Sequence, residues 1–538
     1  MMTSGSRSKE STSSQFEHYA SSQRLKKLAQ HPYDLTQPDH LTPERIHQYV
    51  AESVNITCLY ATERVNAETL HALKALAQEA QAIEKMQAMQ TGAIINKIEG
   101  YESENRPVLH TAMRDLFDNP HTEGRAGEAR ELALKEHEKL KRFLKKIEER
   151  EIHDLVVIGI GGSNLGPQSI YIALEAYRKK GRHVHFISNV DPDDAAKVFQ
   201  GIDLQHALCL VISKSGGTLE TLTNEEIAKE HFRKIGLDPK QHFVAITAEG
   251  SPLDNPEHYL ESFYMWDFIG GRYSSTSMCG GVTLAFAFGY DVYHELLRGA
   301  HDMDQAALSP KIEENVPLLV ALLGIWNHNF LNLSDCLCVP YSQALSRFPA
   351  HVQQLDMESN GKRIDRWGNA VSFQTGPFIW GEPGTNAQHS FYQLIHQGTH
   401  PVALELIGFS ESQRGEDIVV QNTTSQEKLL SNLFAQAISL ATGQKNENPN
   451  KTFPGNRPSL ILLGKKLTPY TMGSLFALYE HKVAFQGFIW DINSFDQEGV
   501  QLGKVLAKEI LQLFAQERKK QPEAKGFPLG EAYRSFLE

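Results

Sequence analysis

An apolar run, Leu208-Cys209-Leu210-Val211-Ile212, breaks into Ser213-Lys214-Ser215-Gly216-Gly217-Thr218 and then passes into residues 219–232, which read as a helix. A buried strand, a tight loop and a helix start, in that order, confine the chain to folds in which strands alternate with helices. The loop has a chemistry of its own. Gly216 and Gly217 let the backbone turn and bring its N–H groups close to a ligand. The helix N-terminus adds partial positive charge. Ser213, Ser215, Thr218 and Thr221 supply hydroxyls and Lys214 a full charge, so nearly every group can donate to an anion such as a phosphate. Ser/Thr/Gly loops also join strands to helices without binding anything, in which case Thr218 is an N-cap.

The alternation extends outward from this loop. Residues 154–160 read as a strand, followed by Gly161-Gly162-Ser163-Asn164-Leu165-Gly166-Pro167 and a helix over 168–177. Strands follow at 183–188, 207–212 and 242–247, with a helix opened by Asp191-Pro192-Asp193-Asp194 between the first two. This rhythm predicts a parallel sheet with helices on both faces, whose ligands sit beyond the strand C-termini. A second unit of the same style starts near Pro317, with strands at 336–339, 402–408, 459–464 and 487–492. Its helices cover 316–330, 345–358, 387–396, 468–483 and 495–514. Residues 15–125 read mostly as helix (68–85 and 106–117 among them), apart from a strand-like stretch at 54–60. The expected architecture is α/β: two doubly wound parallel-sheet domains with a helical N-terminal region and a C-terminal helical arm. The divisions fall at 1–125, 126–300, 301–516 and 517–538.

With 538 residues, 41% of them hydrophobic, the chain can bury a large core. The net charge of -12 argues against nucleic-acid or anionic-membrane partners, so an anionic substrate needs a local basic pocket. The five cysteines are odd in number and sit mostly in apolar runs, as reduced thiols of a cytoplasmic protein do. No apolar run approaches the roughly 20 residues of a membrane span. The Ser/Thr-rich residues 1–14 lack the apolar core of a signal peptide and read as a disordered tail.

Several residues could carry chemistry. Gly159-Ile160-Gly161-Gly162-Ser163 suggests a dinucleotide fingerprint, but Asn164 stands where its third glycine belongs, and the next strand ends at Asn189 rather than an acid. A sugar-phosphate loop fits better. Arg272 follows Gly270-Gly271, and an arginine held by a tight turn can neutralise a developing oxyanion. Gln354 and Glu358 share a helix face. Glu358 falls in the last turn, where the helix dipole disfavours a carboxylate, a setting that suits a proton-abstracting base. His389 falls in the first turn of its expected helix, where a protonated ring is disfavoured. Gln497 and Lys504 lie seven apart on one helix face. Each of these has an ordinary reading too: a solvated arginine or lysine, a surface glutamate, a capping histidine.

Taken together the stretches resemble one family. Residues 159–167, Ser213-Lys214-Ser215-Gly216-Gly217-Thr218, Gly270-Gly271-Arg272-Tyr273-Ser274, Met357-Glu358-Ser359-Asn360-Gly361-Lys362, Asn386-Ala387-Gln388-His389 and Phe495-Asp496-Gln497-Glu498-Gly499-Val500-Gln501-Leu502-Gly503-Lys504 resemble the phosphoglucose isomerases, in the family's order. The one small departure is Ala387, where many members have glycine. The resemblance implies two sugar-isomerase domains that interconvert glucose 6-phosphate and fructose 6-phosphate through a cis-enediolate, with no metal and no organic cofactor. It gives Glu358, Arg272, His389 and Lys504 catalytic roles: base, enediolate neighbour and the two ring-opening groups. Gly162, Ser163, Ser213, Lys214, Ser215, Gly216, Gly217 and Thr218 become the sugar-phosphate site, with Gln354 and Gln497 as further substrate contacts. It also implies a homodimer in which the histidine crosses to the other subunit.

Other classes remain open on sequence alone. A sugar-phosphate sensor would keep the hydroxyl loop without needing all four catalytic residues. A mannose 6-phosphate isomerase differs only around C2, and a dinucleotide-dependent oxidoreductase lacks its fingerprint.

Overall fold

Five parallel strands, Asp154–Ile158, His183–Ile187, Ala207–Ile212, Phe243–Thr247 and Glu261–Tyr264, form the first sheet of the computed structural model, which describes residues 15–518 and 527–537. The second of these strands lies outside the first, and the third, fourth and fifth follow on the other side. Strand order therefore reverses between Asp154–Ile158 and Ala207–Ile212, and a crevice opens beyond their C-termini. All six residues of Ala207–Ile212 are buried, as a central parallel strand covered on both faces requires.

The second sheet repeats the plan with a difference. Strands Asp335–Pro340, Phe378–Trp380, Ala403–Phe409 and Ser459–Gly464 run parallel, and the order again reverses between the first and the third. Its far edge is closed by an antiparallel hairpin, Val50–Ser53 with Ile56–Leu59, the latter pairing with Ser459–Gly464. The stretch at 54–60 thus joins a sheet built four hundred residues later, and the second sheet is not wholly parallel. Sequence spacing carries no mark of such a long-range pairing.

Four other expectations are corrected. The stretch 487–492 is no strand: 487–490 end helix Pro469–Trp490, which runs well past Val483, and Asp491 is its left-handed cap. That helix is buried on nearly all sides, and an all-apolar run reads equally as buried strand or buried helix. Residues 387–396 form two short helices, Gly384–Gln388 and Tyr392–Gln397. The run 68–85 belongs to two helices, Ala67–Glu79 and Ala82–Gln90, separated at Gln81 in the left-handed region (φ 52°). Residues 106–117 hold a two-residue strand and a single 3-10 turn, His110–Arg114, rather than an α-helix.

Helix Pro469–Trp490 packs on Tyr290–Ala306 around a buried ion cluster. Arg114 meets Asp304 at 2.6 Å and Glu480 at 2.6 Å, and His481 meets Asp304 at 2.6 Å. Glu480 and His481 lie on the first helix and Asp304 on the second, so the cluster ties the two together. Cys58, Cys209, Cys279, Cys336 and Cys338 are all buried free thiols. Residues Phe495–Glu538 form a separate unit containing helices Gln501–Arg518 and Pro528–Arg534. The Ser/Thr-rich tail, 1–14, lies outside the described residues, as do 519–526 and 538 of the arm expected at 517–538.

Candidate active site

The two glycine-serine loops leave the two strands that flank the reversal of the first sheet. Gly161–Ser163 makes a 3-10 turn after Asp154–Ile158, with Gly161 at φ 58°. A Cβ on Gly162 would lie 2.3 Å from the backbone carbon and oxygen of Gly271, so only glycine lets this turn press against the turn Gly271–Tyr273 that carries Arg272. Behind Ser163 sits Cys279; burial pushes its thiol up to about 11, and it hydrogen-bonds Ser163 and Ser274. Asn164, in the place of the fingerprint's third glycine, is buried, its Oδ1 without a partner among the described residues.

The loop after Ala207–Ile212 holds Ser213, Lys214, Ser215, Gly216, Gly217 and Thr218 together at the start of helix Leu219–Lys234. Gly216 turns the chain at φ 66°. Thr218 occupies the N-cap position but does not cap: its hydroxyl lies 2.9 Å from that of Ser213, and among the described residues no side chain bonds the first-turn N–H groups. An uncapped N-terminus on a 16-residue helix leaves donors and the positive end of the dipole facing the crevice. Ser215 and Gly217 are exposed there, and a Cβ on Gly217 would meet nothing nearer than 4.0 Å. One turn into the helix, the buried Thr221 hydroxyl has no partner among the described residues. Lys214 Nζ donates to Ile269 O at 2.9 Å, which ties the loop to the Arg272 turn. Burial, then the nearby Arg106, lowers its pKa from the ordinary lysine value.

The second sheet contributes the helix that follows its own reversal. Strand Asp335–Pro340 leads to helix Phe348–Asn360, which carries Gln354 and Glu358 on one face. Gln354 Nε2 donates to Glu358 Oε2 at 2.8 Å. Glu358 Oε1 lies 3.2 Å from Arg272 Nη1, and the Arg272 side chain is 1% exposed against 24% for Glu358. Gln354 also reaches the first loop, since a Cβ on Gly161 would lie 3.4 Å from its Nε2. Its Oε1 is buried and unpartnered among the described residues. Lys362 Nζ donates to Glu358 O at 2.9 Å and so satisfies one of the carbonyls that a helix end leaves open. Two further contacts of Arg272 come from residues given no role in the sequence reading. Its Nε donates to Ser359 Oγ at 2.6 Å and its Nη2 to Ser494 O at 2.6 Å. Ser359 directly follows Glu358, but nothing in a lone serine marks it.

Three sequence candidates, His389, Gln497 and Lys504, are described by their own surroundings. His389 is exposed at the C-terminal end of helix Gly384–Gln388, not in the first turn of a longer one, so the dipole argument for it does not hold. Within the described residues nothing hydrogen-bonds its ring. Lys504 is exposed in the first turn of helix Gln501–Arg518. Gln497 precedes that helix, ahead of the turn Glu498–Val500, so the two do not share a helix face. Among the described residues no three His, Cys, Asp or Glu side chains converge as metal ligands, and no helix is long and apolar enough to cross a membrane.

The family model for phosphoglucose isomerase matches residues 59–525. The glucose-6-phosphate isomerase of Protochlamydia amoebophila (strain UWE25) is 60% identical over 527 residues, 98% of each chain. That of Desulfotalea psychrophila (strain LSv54 / DSM 12343) is 54% identical over 498 residues, 91% of this chain and 93% of that protein. The crystal structure of a glucose-6-phosphate isomerase from Chlamydia trachomatis D/UW-3/Cx superposes with a TM-score of 0.93 at 47% identity, covering 97% of this chain and 99% of the other. A family model that matches most of the chain, and relatives alike over nearly their whole length, make this chain a member of the phosphoglucose isomerase family.

Proposed function

We propose that the Glu358–Arg272 pair is the proton-transfer centre, and the loops at 161–163 and 213–218 the phosphate site, of an aldose–ketose isomerase. As a member of its family the chain interconverts glucose 6-phosphate and fructose 6-phosphate, a step of glycolysis and gluconeogenesis. The observation that supports the assignment of roles is the 3.2 Å contact between an almost fully buried guanidinium and a partly open carboxylate. A proton alpha to a carbonyl is weakly acidic, so its removal needs a positioned base and a cation for the oxyanion that forms. Glu358 takes the C2 proton and returns it to C1. Arg272 stabilises the enediolate, and its burial strengthens that attraction. Gln354 orients the base through Oε2.

The phosphate is held by the Ser163, Ser213, Ser215 and Thr218 hydroxyls, by Lys214, and by the N–H groups around Gly162, Gly216 and Gly217. His389 and Lys504 serve ring opening, and Gln497 touches the substrate. Because His389 stands exposed with no ring partner among the described residues, we assign it to the site of a second copy in a cytoplasmic homodimer. The test is conversion of fructose 6-phosphate to glucose 6-phosphate, with chelator present, by the wild type and Glu358→Gln. Loss of an acid–base group predicts a fall of roughly 10²-fold or more in kcat. Equal activity in the two proteins rejects Glu358 as the base. Substrate binding without turnover in the wild type rejects the catalytic reading.

A further inference from the structure

Glu358, Ser359 and Asn360 are consecutive, and each bears on the same guanidinium. Glu358 Oε1 faces Nη1 at 3.2 Å. Ser359 Oγ accepts from Nε at 2.6 Å. Asn360 acts through one intermediary: its Oδ1 accepts from Ser494 Oγ at 2.7 Å, and Ser494 O accepts from Nη2 at 2.6 Å. Successive helix positions diverge by about 100°, so Glu358 and Ser359 meet Arg272 on two different nitrogens, while Asn360 holds the residue that meets the third. Asn360 is itself fixed, with Nδ2 donating to Val483 O at 3.1 Å. A Cβ on Gly487 would lie 1.8 Å from Ser494 Oγ, so helix Pro469–Trp490 keeps a glycine where Ser494 must approach.

Ser359 has a second partner. The Tyr273 hydroxyl lies 2.9 Å from its Oγ, and Tyr273 follows Arg272 in the chain. Arg272, Tyr273 and Ser359 are at most 2% exposed. Burial pushes the Tyr273 hydroxyl up to about 12, so it keeps its proton beside Ser359. His110 stacks on the Tyr273 ring at 4.8 Å and closes the far side. The contacts form one closed circuit, from the base's helix to the arginine, to its neighbouring tyrosine and back to the helix.

We propose that Ser359, supported by Tyr273, is a positioning residue for the isomerisation, which holds Arg272 where the enediolate charge develops. The inference rests on the roles given above to Glu358 and Arg272. It makes the separation of base and cation a property of a single helix turn. A guanidinium released from Nε would still neutralise a bound anion but would meet the planar enediolate less well. The loss therefore falls on kcat and spares KM.

Ser359→Ala, Tyr273→Phe and the double variant test this, with kcat, KM and two binding constants. One ligand is a sugar-phosphate hydroxamate that mimics the enediolate. The other is sorbitol 6-phosphate, which carries the phosphate but no planar oxyanion. For Ser359→Ala, kcat and hydroxamate affinity fall together by roughly 10- to 100-fold, as a misplaced catalytic group costs, while KM and sorbitol 6-phosphate affinity hold. Tyr273→Phe gives a fall of about two- to five-fold, and the double variant is no worse than Ser359→Ala, because the two act through one contact. An unchanged kcat in Ser359→Ala, or equal losses for both ligands, overturns the proposal. Should Ser359→Ala fail to fold, Tyr273→Phe decides alone: an unchanged ratio of the two affinities overturns it. A wild type that does not turn over would instead sink the function assigned above.

Discussion

The loop after Ile212 and the helix turn at Glu358 both stand where strand order reverses, but the first keeps a helix N-terminus and a hydroxyl open while the second has its guanidinium bound on every nitrogen. In the first, Thr218 leaves the helix N-terminus uncapped and the Thr221 hydroxyl has no partner among the described residues. In the second, Arg272 is bound on Nε, Nη1 and Nη2 before any substrate arrives. An open donor set gains its bonds when ligand binds, so it contributes to affinity. A set already locked loses no order when charge shifts, so it contributes to the rate. The comparison makes a prediction for each half: damage to the loop raises KM, and damage to the pair lowers kcat.

The largest effect is expected for Arg272→Lys. A lysine keeps the charge but cannot bond Ser359, Ser494 and Glu358 at once, and its ammonium lacks the rigid fork. Turnover falls by roughly 10²- to 10³-fold, the loss typical of one oxyanion donor, with KM little changed. A rise in KM with kcat intact would erase the distinction between the two halves. Gly162→Ala strikes the seam between them. Its Cβ would meet Gly271 backbone, which cannot swing away like a side-chain end, so both turns must move. Here kcat and KM worsen together, by on the order of 10²-fold in kcat/KM. A change in KM alone would mean that the Arg272 turn does not lean on the phosphate loop.

Ser213→Ala is the smaller, one-sided test. It removes a hydroxyl from the loop and nothing from the pair. A hydrogen bond to a charged group is worth about 1.5–3 kcal/mol, so KM for fructose 6-phosphate rises by tenfold or more while kcat stays within about threefold. Steady-state kinetics separates the two. A tenfold fall in kcat at unchanged KM would show that the loop acts in the transition state after all.

The open half was the more legible in the sequence. Its groups are contiguous, from Ser213 to Thr218, and the strand before them is an unbroken apolar run. The locked half is assembled from residues 272, 354, 358, 359 and 494, which only the packing of helix Phe348–Asn360 against the turn Gly271–Tyr273 and the segment after Trp490 brings together. Glu358 and Arg272 were reached through short glycine-marked motifs. Ser359 and Ser494 carry no mark, because a serine that accepts from a guanidinium looks in sequence like any other. The helix ending at Trp490 reads as a strand in sequence for a related reason. Burial on all sides removes the periodicity that separates helix from strand. The hairpin at 50–59 escaped because its pairing partner lies at 459–464.

The smallest effect on turnover is expected at Glu63, a buried carboxylate that sharpens the contrast with Glu358. Glu358 has a guanidinium at 3.2 Å, whereas the bonds to Glu63 come from the Asn327 amide, at 3.0 and 3.3 Å. Burial pushes Glu63 up from its ordinary 4.5 to about 8, with nearby Glu405 adding to the rise and Asn327 and Arg45 opposing it. Between pH 4.5 and 8 the folded protein keeps a proton there that the unfolded chain releases. Unfolding then releases a proton, and stability falls as pH rises, by about 1.4 kcal/mol per unit within that window. The contribution is complete below 4.5 and gone above 8. Glu63→Gln keeps the amide contact and removes the titration. Denaturant midpoints at pH 5.5 and 8.5 should therefore drop less in the variant than in the wild type, with turnover at neutral pH alike in both. Some slope survives in the variant, since burial also raises Asp356, to about 6. Equal slopes would mean that Glu63 is ionised in the folded core, and that a buried carboxylate here needs no guanidinium to hold its charge.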